Sequence, residues 1–335
     1  MQRLRSPLGT FGPGLGLVLL LAGCTPAPVE ELTYRVGYPD LPGTLLLYVA
    51  KDAQLFAAEH LQVEAKVFPT GREALEAAIA GELDAAVVYS TPLVLAAMRG
   101  EDVVVLTTLN RAEGLTGLAI QPATNIRTAA DLRGRRIGIS PGTSSQLALD
   151  VLLAEGGLEP RDIRPVLGQP RELMAALATG EVDAASLWVP NLLVATGPGK
   201  ARLLVSELYT EMSMLAGMRP RIEARRTETR RFLRALLRAE AMIQRRPQLV
   251  ESALRPRFPM LDHEQLQTVI SHSRYQLGLS NLLISALRQE GAWLEGRGEA
   301  RAERVRFSDL VAPTMLEELA PESVTLLSAP ERALR

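Results

Sequence analysis

Gly142, Thr143, Ser144 and Ser145 are the residues best suited to hold a small polar molecule: a glycine and three hydroxyls opening a helix-like segment at Gln146–Leu153. A helix N-terminus presents unpaired backbone N–H groups and the positive end of its dipole, and both favour an anionic or strongly polar group. Glycine permits close approach to the backbone, and the hydroxyls add donors. The same residues also suit ordinary capping, with Thr143 as N-cap and Gln146 completing a capping box. Three more loops, Pro42-Gly43-Thr44, Thr70-Gly71-Arg72 and Ser90-Thr91-Pro92, each lie between a strand pattern and a helix pattern, which makes Thr44, Ser90 and Thr91 candidate contacts. Tyr38, Tyr89 and Trp188 fall at strand ends, where an aromatic face can stack on a ligand or pack into a core. Arg72 and Arg171 could pair with a carboxylate or sulfonate, although a solvated first-turn arginine is the more ordinary reading of each.

Little points to catalysis or metal. His60, His263 and His272 are the only histidines and are widely spread, with no metal-ligand spacing. No acid–base pair stands out, so no catalytic residue, cofactor or metal is expected. The 335 residues carry 37 basic and 38 acidic side chains, interspersed, for a net charge of −1. That balance leaves no footprint for nucleic acid.

The elements that must position these loops alternate. Leu32–Gly37, Val63–Phe68, Ala85–Val88 and Val103–Leu109 read as strands, with helical spacing over Leu45–Phe56 and Arg72–Ala80. Such alternation argues for parallel sheets covered by helices. An internal repeat adds to this: Arg72–Ala96 aligns with Arg171–Ala195 at an offset of 99, with ten of 25 positions identical, including Gly81/Gly180 and Asp84/Asp183. Two copies are too few for a solenoid and fit two similar lobes. From about Arg221 onward the pattern reads as helical only. Phe232, Leu233, Leu236, Leu237 and Ile243 form one stripe, and Arg230, Arg234 and Arg238 lie on another face. The simplest role for the Arg219–Arg238 cluster is a solvated helix face.

At the N-terminus, Arg3 and Arg5 precede an apolar run, Leu15–Ala22, too short to span a bilayer. It reads as a secretory signal segment, 1–23. Leu21-Ala22-Gly23-Cys24 resembles the bacterial lipobox, in which the cysteine is acylated after cleavage, and Cys24 is the only cysteine. The expectation is a chain anchored outside the cytoplasm by lipid on Cys24, with 24–32 as a flexible tether.

Several segments, taken in order, resemble the nitrate, sulfonate, taurine and thiamine-precursor group of periplasmic binding proteins. They are Tyr48–Phe56 with Leu61–Glu64; Ala78–Asp84 and Ala176–Ala184; Asp131–Gly138; and Ser186–Pro190, with its tryptophan, one residue, then proline. The resemblance implies an α/β, two-lobed periplasmic-binding-protein fold of type II, with two Rossmann-like lobes joined by a two-strand hinge. Lobe one is expected to comprise 33–118 plus 218–335, and lobe two 119–217, with crossings near Leu118–Gln121 and Leu215–Met218. Ligands in such sheets bind beyond the carboxyl ends of the strands, and closure of the hinge traps them. The implied function is that of a substrate-binding lipoprotein of an ABC importer. It would act as a monomer that captures a small polar or anionic solute, aromatic ones included, and hands it to a permease and its ATPase. A ligand-sensing partner of a membrane receptor, or an enzyme on the same fold, are the alternatives.

Overall fold

The computed structural model describes residues 32–197, 199–298 and 305–327. Cys24, the signal segment and the tether up to Glu31 lie outside the described residues. Among the described residues, no helix is long and apolar enough to cross a membrane.

Among the described residues, twelve strands form two sheets. In chain order they are β1 (Leu32–Pro39), β2 (Leu61–Phe68), β3 (Ala85–Tyr89), β4 (Val103–Glu113), β5 (Thr116–Ile120), β6 (Arg136–Ile139), β7 (Arg164–Leu167), β8 (Ala184–Trp188), β9 (Arg202–Leu204), β10 (Thr210–Met218), β11 (Ser273–Ser280) and β12 (Val324–Thr325). One sheet runs β12-β11-β4-β10-β3-β1-β2 and the other β7-β6-β8-β5-β9. In the first, β1 is parallel to β2 and β3, and β10 is antiparallel to β3. The second repeats this plan, with β6 parallel to β7 and β8, and β5 antiparallel to β8. Strands β3 and β8 are buried almost throughout, as expected of parallel strands covered on both faces.

The repeat has a structural reason. Asp84 accepts a hydrogen bond from Arg35 N at 2.7 Å, and Asp183 accepts one from Arg136 N at 2.8 Å. Each aspartate also donates its own amide to the carbonyl of the same partner, at 2.8 Å in both lobes. Each therefore clamps the start of one parallel strand to its neighbour. Gly81 and Gly180, at φ +81° and +78°, end the preceding helices in the left-handed region, where a Cβ is disfavoured.

Two expectations need correction. Leu118–Ile120 lie within β5, paired to β8 and β9 of the second sheet, while Leu215–Met218 lie within β10 of the first. The chain therefore crosses between sheets at 114–115 and again at 205–209, earlier on both passes than the positions expected from the resemblance. The apolar runs are central strands, and the crossings are the short polar or glycine-containing joints before them. The tail is also not purely helical. It contains β11, whose buried pattern alternates along Ser273–Ser280; a period of two was present in Tyr275-Gln276-Leu277-Gly278-Leu279.

The tail closes the first lobe. Helix Arg226–Arg245 buries Phe232 against Tyr34 and Phe56, each at 4.9 Å between ring centroids. Its arginines are tied down by ion pairs: Arg226 and Arg230 to Glu318, and Arg234 and Arg238 to Glu59. Asp84, 1% exposed, is approached by Arg35, Arg221 and Arg225. The basic cluster thus serves the tail's attachment.

Candidate functional site

A cavity lies between the two sheets, at the carboxyl ends of β2, β3, β6 and β8. The first lobe contributes Thr70, Arg72, Tyr89 and Pro92 to its wall; the second contributes Thr143, Ser144, Ser145, Trp188 and Val189. Thr116 and Glu211, at the starts of β5 and β10, close it beside the two crossings.

The helix Ser144–Glu155 opens into this space. Thr143 is at the N-cap position in extended conformation, yet its side chain makes no cap hydrogen bond. Its Oγ1 lies 2.7 Å from Ser140 O, to which it donates, and 3.0 Å from Ser145 Oγ. Gln146 Oε1 accepts from Gly142 N at 2.8 Å, not from the Thr143 amide. The expected capping box is therefore absent, and the Thr143 side chain takes up none of the first-turn amides. Among the described residues, Ser144 Oγ is buried without a hydrogen-bond partner. A buried hydroxyl left unsatisfied at a helix N-terminus marks a place where a ligand oxygen fits. In the first lobe Thr70 does cap its helix, accepting from Glu73 N at 3.2 Å, which sets Arg72 on the cavity rim. Arg72 Nε is also buried without a hydrogen-bond partner, and its nearest acid, Glu76, is 3.8 Å away.

Glu211 is 5% exposed and lines the cavity. Thr116 Oγ1 donates to it. Among the described residues it forms no ion pair. Burial pushes its carboxyl up to about 7, against the opposing hydrogen bond from Thr116. The hydroxyls of Tyr89, Tyr209 and Tyr275 share this region, and burial raises all three above their ordinary value. Tyr209 OH is buried without a partner, close to Ser144 but outside hydrogen-bond geometry. Gly43 makes room for Tyr89: a Cβ there would meet the Tyr89 hydroxyl at 2.5 Å.

Of the residues read from sequence, Thr143, Ser144, Ser145 and Trp188 are brought together on the cavity wall. Gly142 instead lines an outer groove beside Arg72 and Leu95, adjoining the cavity. Thr44 is buried and donates to Pro39 O at 2.9 Å, and Tyr38 packs edge-on against Tyr48 at 6.0 Å; neither lines the cavity. Ser90 and Thr91 turn away from it. Thr91 Oγ1 donates to Glu290 Oε2 at 2.9 Å, and Glu290, buried, is pushed up to about 7 by desolvation, opposed by both hydroxyls. Their neighbours Tyr89 and Pro92 face the cavity instead. The sequence reading passed over Glu211, Thr116 and Tyr209. The available signal was a single carboxylate immediately before the largely apolar run Met212–Met218. Among the described residues, no cluster of His, Cys, Asp or Glu could hold a metal.

Two sheets of this topology around one interlobe cavity define the two-lobed fold of periplasmic binding proteins. The alkanesulfonate-binding protein SsuA from Xanthomonas axonopodis pv. citri, solved with MOPS, superposes with a TM-score of 0.73 at 24% identity, covering 85% of this chain and 99% of that one. The desulfurization enzyme DSZB shares the fold, with a TM-score of 0.66 at 19% identity, covering 87% and 99%. Residues 42–249 match the NMT1/THI5-like family model, and the chain belongs to that family. A protein of Bacillus subtilis (strain 168) that carries the name of an aliphatic sulfonates-binding protein is 24% identical over 322 residues, 92% of this chain and 96% of that one. The taurine-binding periplasmic protein of Escherichia coli (strain K12) is 26% identical over 153 residues, 45% and 47%. The chain spans about half the length of the Brucella abortus binding protein it matches, at 27% identity over 165 residues and 50% of that protein.

Proposed function

We propose that this chain is the extracytoplasmic substrate-binding protein of an ABC importer, anchored through lipid on Cys24, which delivers a small solute to a permease and its ATPase without transforming it. The observation that carries this reading is the cavity itself. It is bounded by both lobes, it sits where open α/β sheets bind ligands, and the chain passes between the lobes at two short crossings, as a closing hinge requires. The names of the sulfonate- and taurine-binding relatives support a sulfonate-like ligand. The wall is chemically two-ended, which narrows the choice. An acidic group fits beside the first turn of helix Ser144–Glu155, with Ser144 Oγ and Arg72 as donors. A nitrogen bearing protons fits against Glu211, a buried carboxylate with no cationic partner among the described residues. The ligand that satisfies both ends is a short amino acid-like zwitterion, such as an aminoalkanesulfonate.

A thermal-shift comparison of taurine with ethanesulfonate, the same skeleton without the amine, tests this. At one hundred times its dissociation constant a ligand adds about 2.7 kcal/mol of stability. Taurine should raise the melting temperature by several degrees and ethanesulfonate by much less. Equal shifts would remove the role of Glu211, and no shift across short sulfonates and amino acids would remove this ligand class.

A further inference from the structure

The two lobes also meet away from the cavity, on the far side of helix Ser144–Glu155. Helix Asn281–Gly296 belongs with the first lobe, where its Glu290 accepts from Thr91. Further along, Trp293 Nε1 donates to Asp150 Oδ2 at 2.9 Å, and Arg297 Nη1 reaches the same oxygen at 2.6 Å. Asp150 lies on the helix whose first turn lines the cavity. The Arg297 guanidinium also lies 5.7 Å from the centre of the Trp293 ring. The contact is largely withdrawn from water: the side chains of Asp150 and Arg297 are 10% and 25% exposed. Beneath it, Trp293 and Val151 pack against the buried cluster of Leu147, Ala148 and Tyr209. On the opposite side of the cleft, Gln265 Nε2 donates to Leu193 O at 2.6 Å, a neutral bond. Charge-assisted bonds are roughly twice as strong as neutral ones, so the Asp150 contact is the stronger of the two.

We propose that Asp150, Trp293 and Arg297 form a clasp that sustains a closed population even without solute and slows its release, so that affinity is set partly outside the cavity. The proposal rests on the reading that the lobes open and close. Opening must break this contact, because its partners belong to different lobes. The apparent affinity of a protein whose competent state is only fractionally populated falls by that fraction. Weakening the clasp should therefore weaken binding without touching a ligand contact.

The test uses the mature chain with Cys24→Ser, spin-labelled at Glu64→Cys and Arg164→Cys, both exposed and one on each lobe. Inter-label distances are measured by pulsed electron resonance without ligand, and taurine dissociation is followed by stopped flow. The parent protein should show a short-distance population without ligand. Asp150→Asn and Trp293→Phe should both deplete it, and should speed taurine release roughly ten- to a hundredfold with association unchanged. Trp293→Phe removes one donor and keeps a ring, so it decides the matter if Asp150→Asn does not fold. A parent found only open, or unchanged distances in a variant that melts like the parent, overturns the clasp. If taurine binds neither parent nor variants, the ligand reading fails, and the distance measurements still decide the clasp.

Discussion

Replacing Glu211 with glutamine keeps the shape of the side chain and an acceptor for Thr116 while removing a buried charge. The carboxyl stands at about 7 in the folded protein against an ordinary 4.5. A group whose folded value is raised contributes stability that is complete below the unfolded value and lost as pH rises through the folded one. Between pH 4.5 and 7 the wild-type chain should thus lose roughly 3 kcal/mol at this one site, at 1.36 kcal/mol per pH unit. Glu211→Gln cannot titrate, so at pH 8 the ligand-free variant should melt several degrees above the wild type. At pH 4.5 the two should nearly coincide. The same change should weaken taurine binding roughly ten- to a hundredfold, the worth of one hydrogen bond to a charged group, and leave ethanesulfonate binding as it was. Differential scanning calorimetry across this pH range and calorimetric titration at pH 8 measure both effects. A variant less stable than the wild type at pH 8 would refute the reasoning, because the carboxylate would then be stabilised by something other than a bound cation. An equal loss of both sulfonates would reduce Glu211 to a structural role.

Ser144→Ala should cost binding roughly tenfold while leaving the melting temperature within about a degree, since the hydroxyl has no partner in the fold; titration beside thermal melting checks both, and a loss confined to stability would count against ligand contact. In urea titration, Asp84→Ala should destabilise the chain by about 3 kcal/mol or more, because it strands three arginines and the Arg35 amide. Asp183→Ala, whose clamp is more exposed and holds one arginine, should cost less in the same urea titration. Cys24→Ser should abolish acyl labelling in cells, and a labelled, detergent-partitioning Cys24→Ser protein would dismiss the lipid anchor.

The frame of the fold was legible because its signals are local. Helix ends at Gly81 and Gly180, strand entries at Asp84 and Asp183, and alternation of strands with helices all follow from short-range rules, and the repeat showed that they apply twice. The hydroxyls at Ser144 and Ser145 were legible for the same reason, since a strand followed by glycine and a helix start defines a loop end. The misplaced crossings show where this stops. Leu118 and Leu215 are apolar because they are central strands, and only pairing partners far along the chain reveal which sheet each joins. Ser90 and Thr91 were misjudged because their direction depends on Glu290, about two hundred positions away. Glu211 was missed because its meaning comes from what surrounds it: Thr116, Tyr89 and Tyr209 are brought to it by the return of the chain from the second lobe.

Although the two lobes start from one plan, the loops after β3 and β8 have lost their likeness. Tyr89-Ser90-Thr91 in one becomes Trp188-Val189-Pro190 in the other. A duplicated frame would by itself offer a bound molecule two equivalent seats. Here the acidic end of the chamber and its donor-rich end differ, so the zwitterion proposed above is expected to enter in one orientation, with its two-fold-related placement rejected. A symmetrical molecule, such as a disulfonate or a diamine, would satisfy one end only by leaving a like charge at the other.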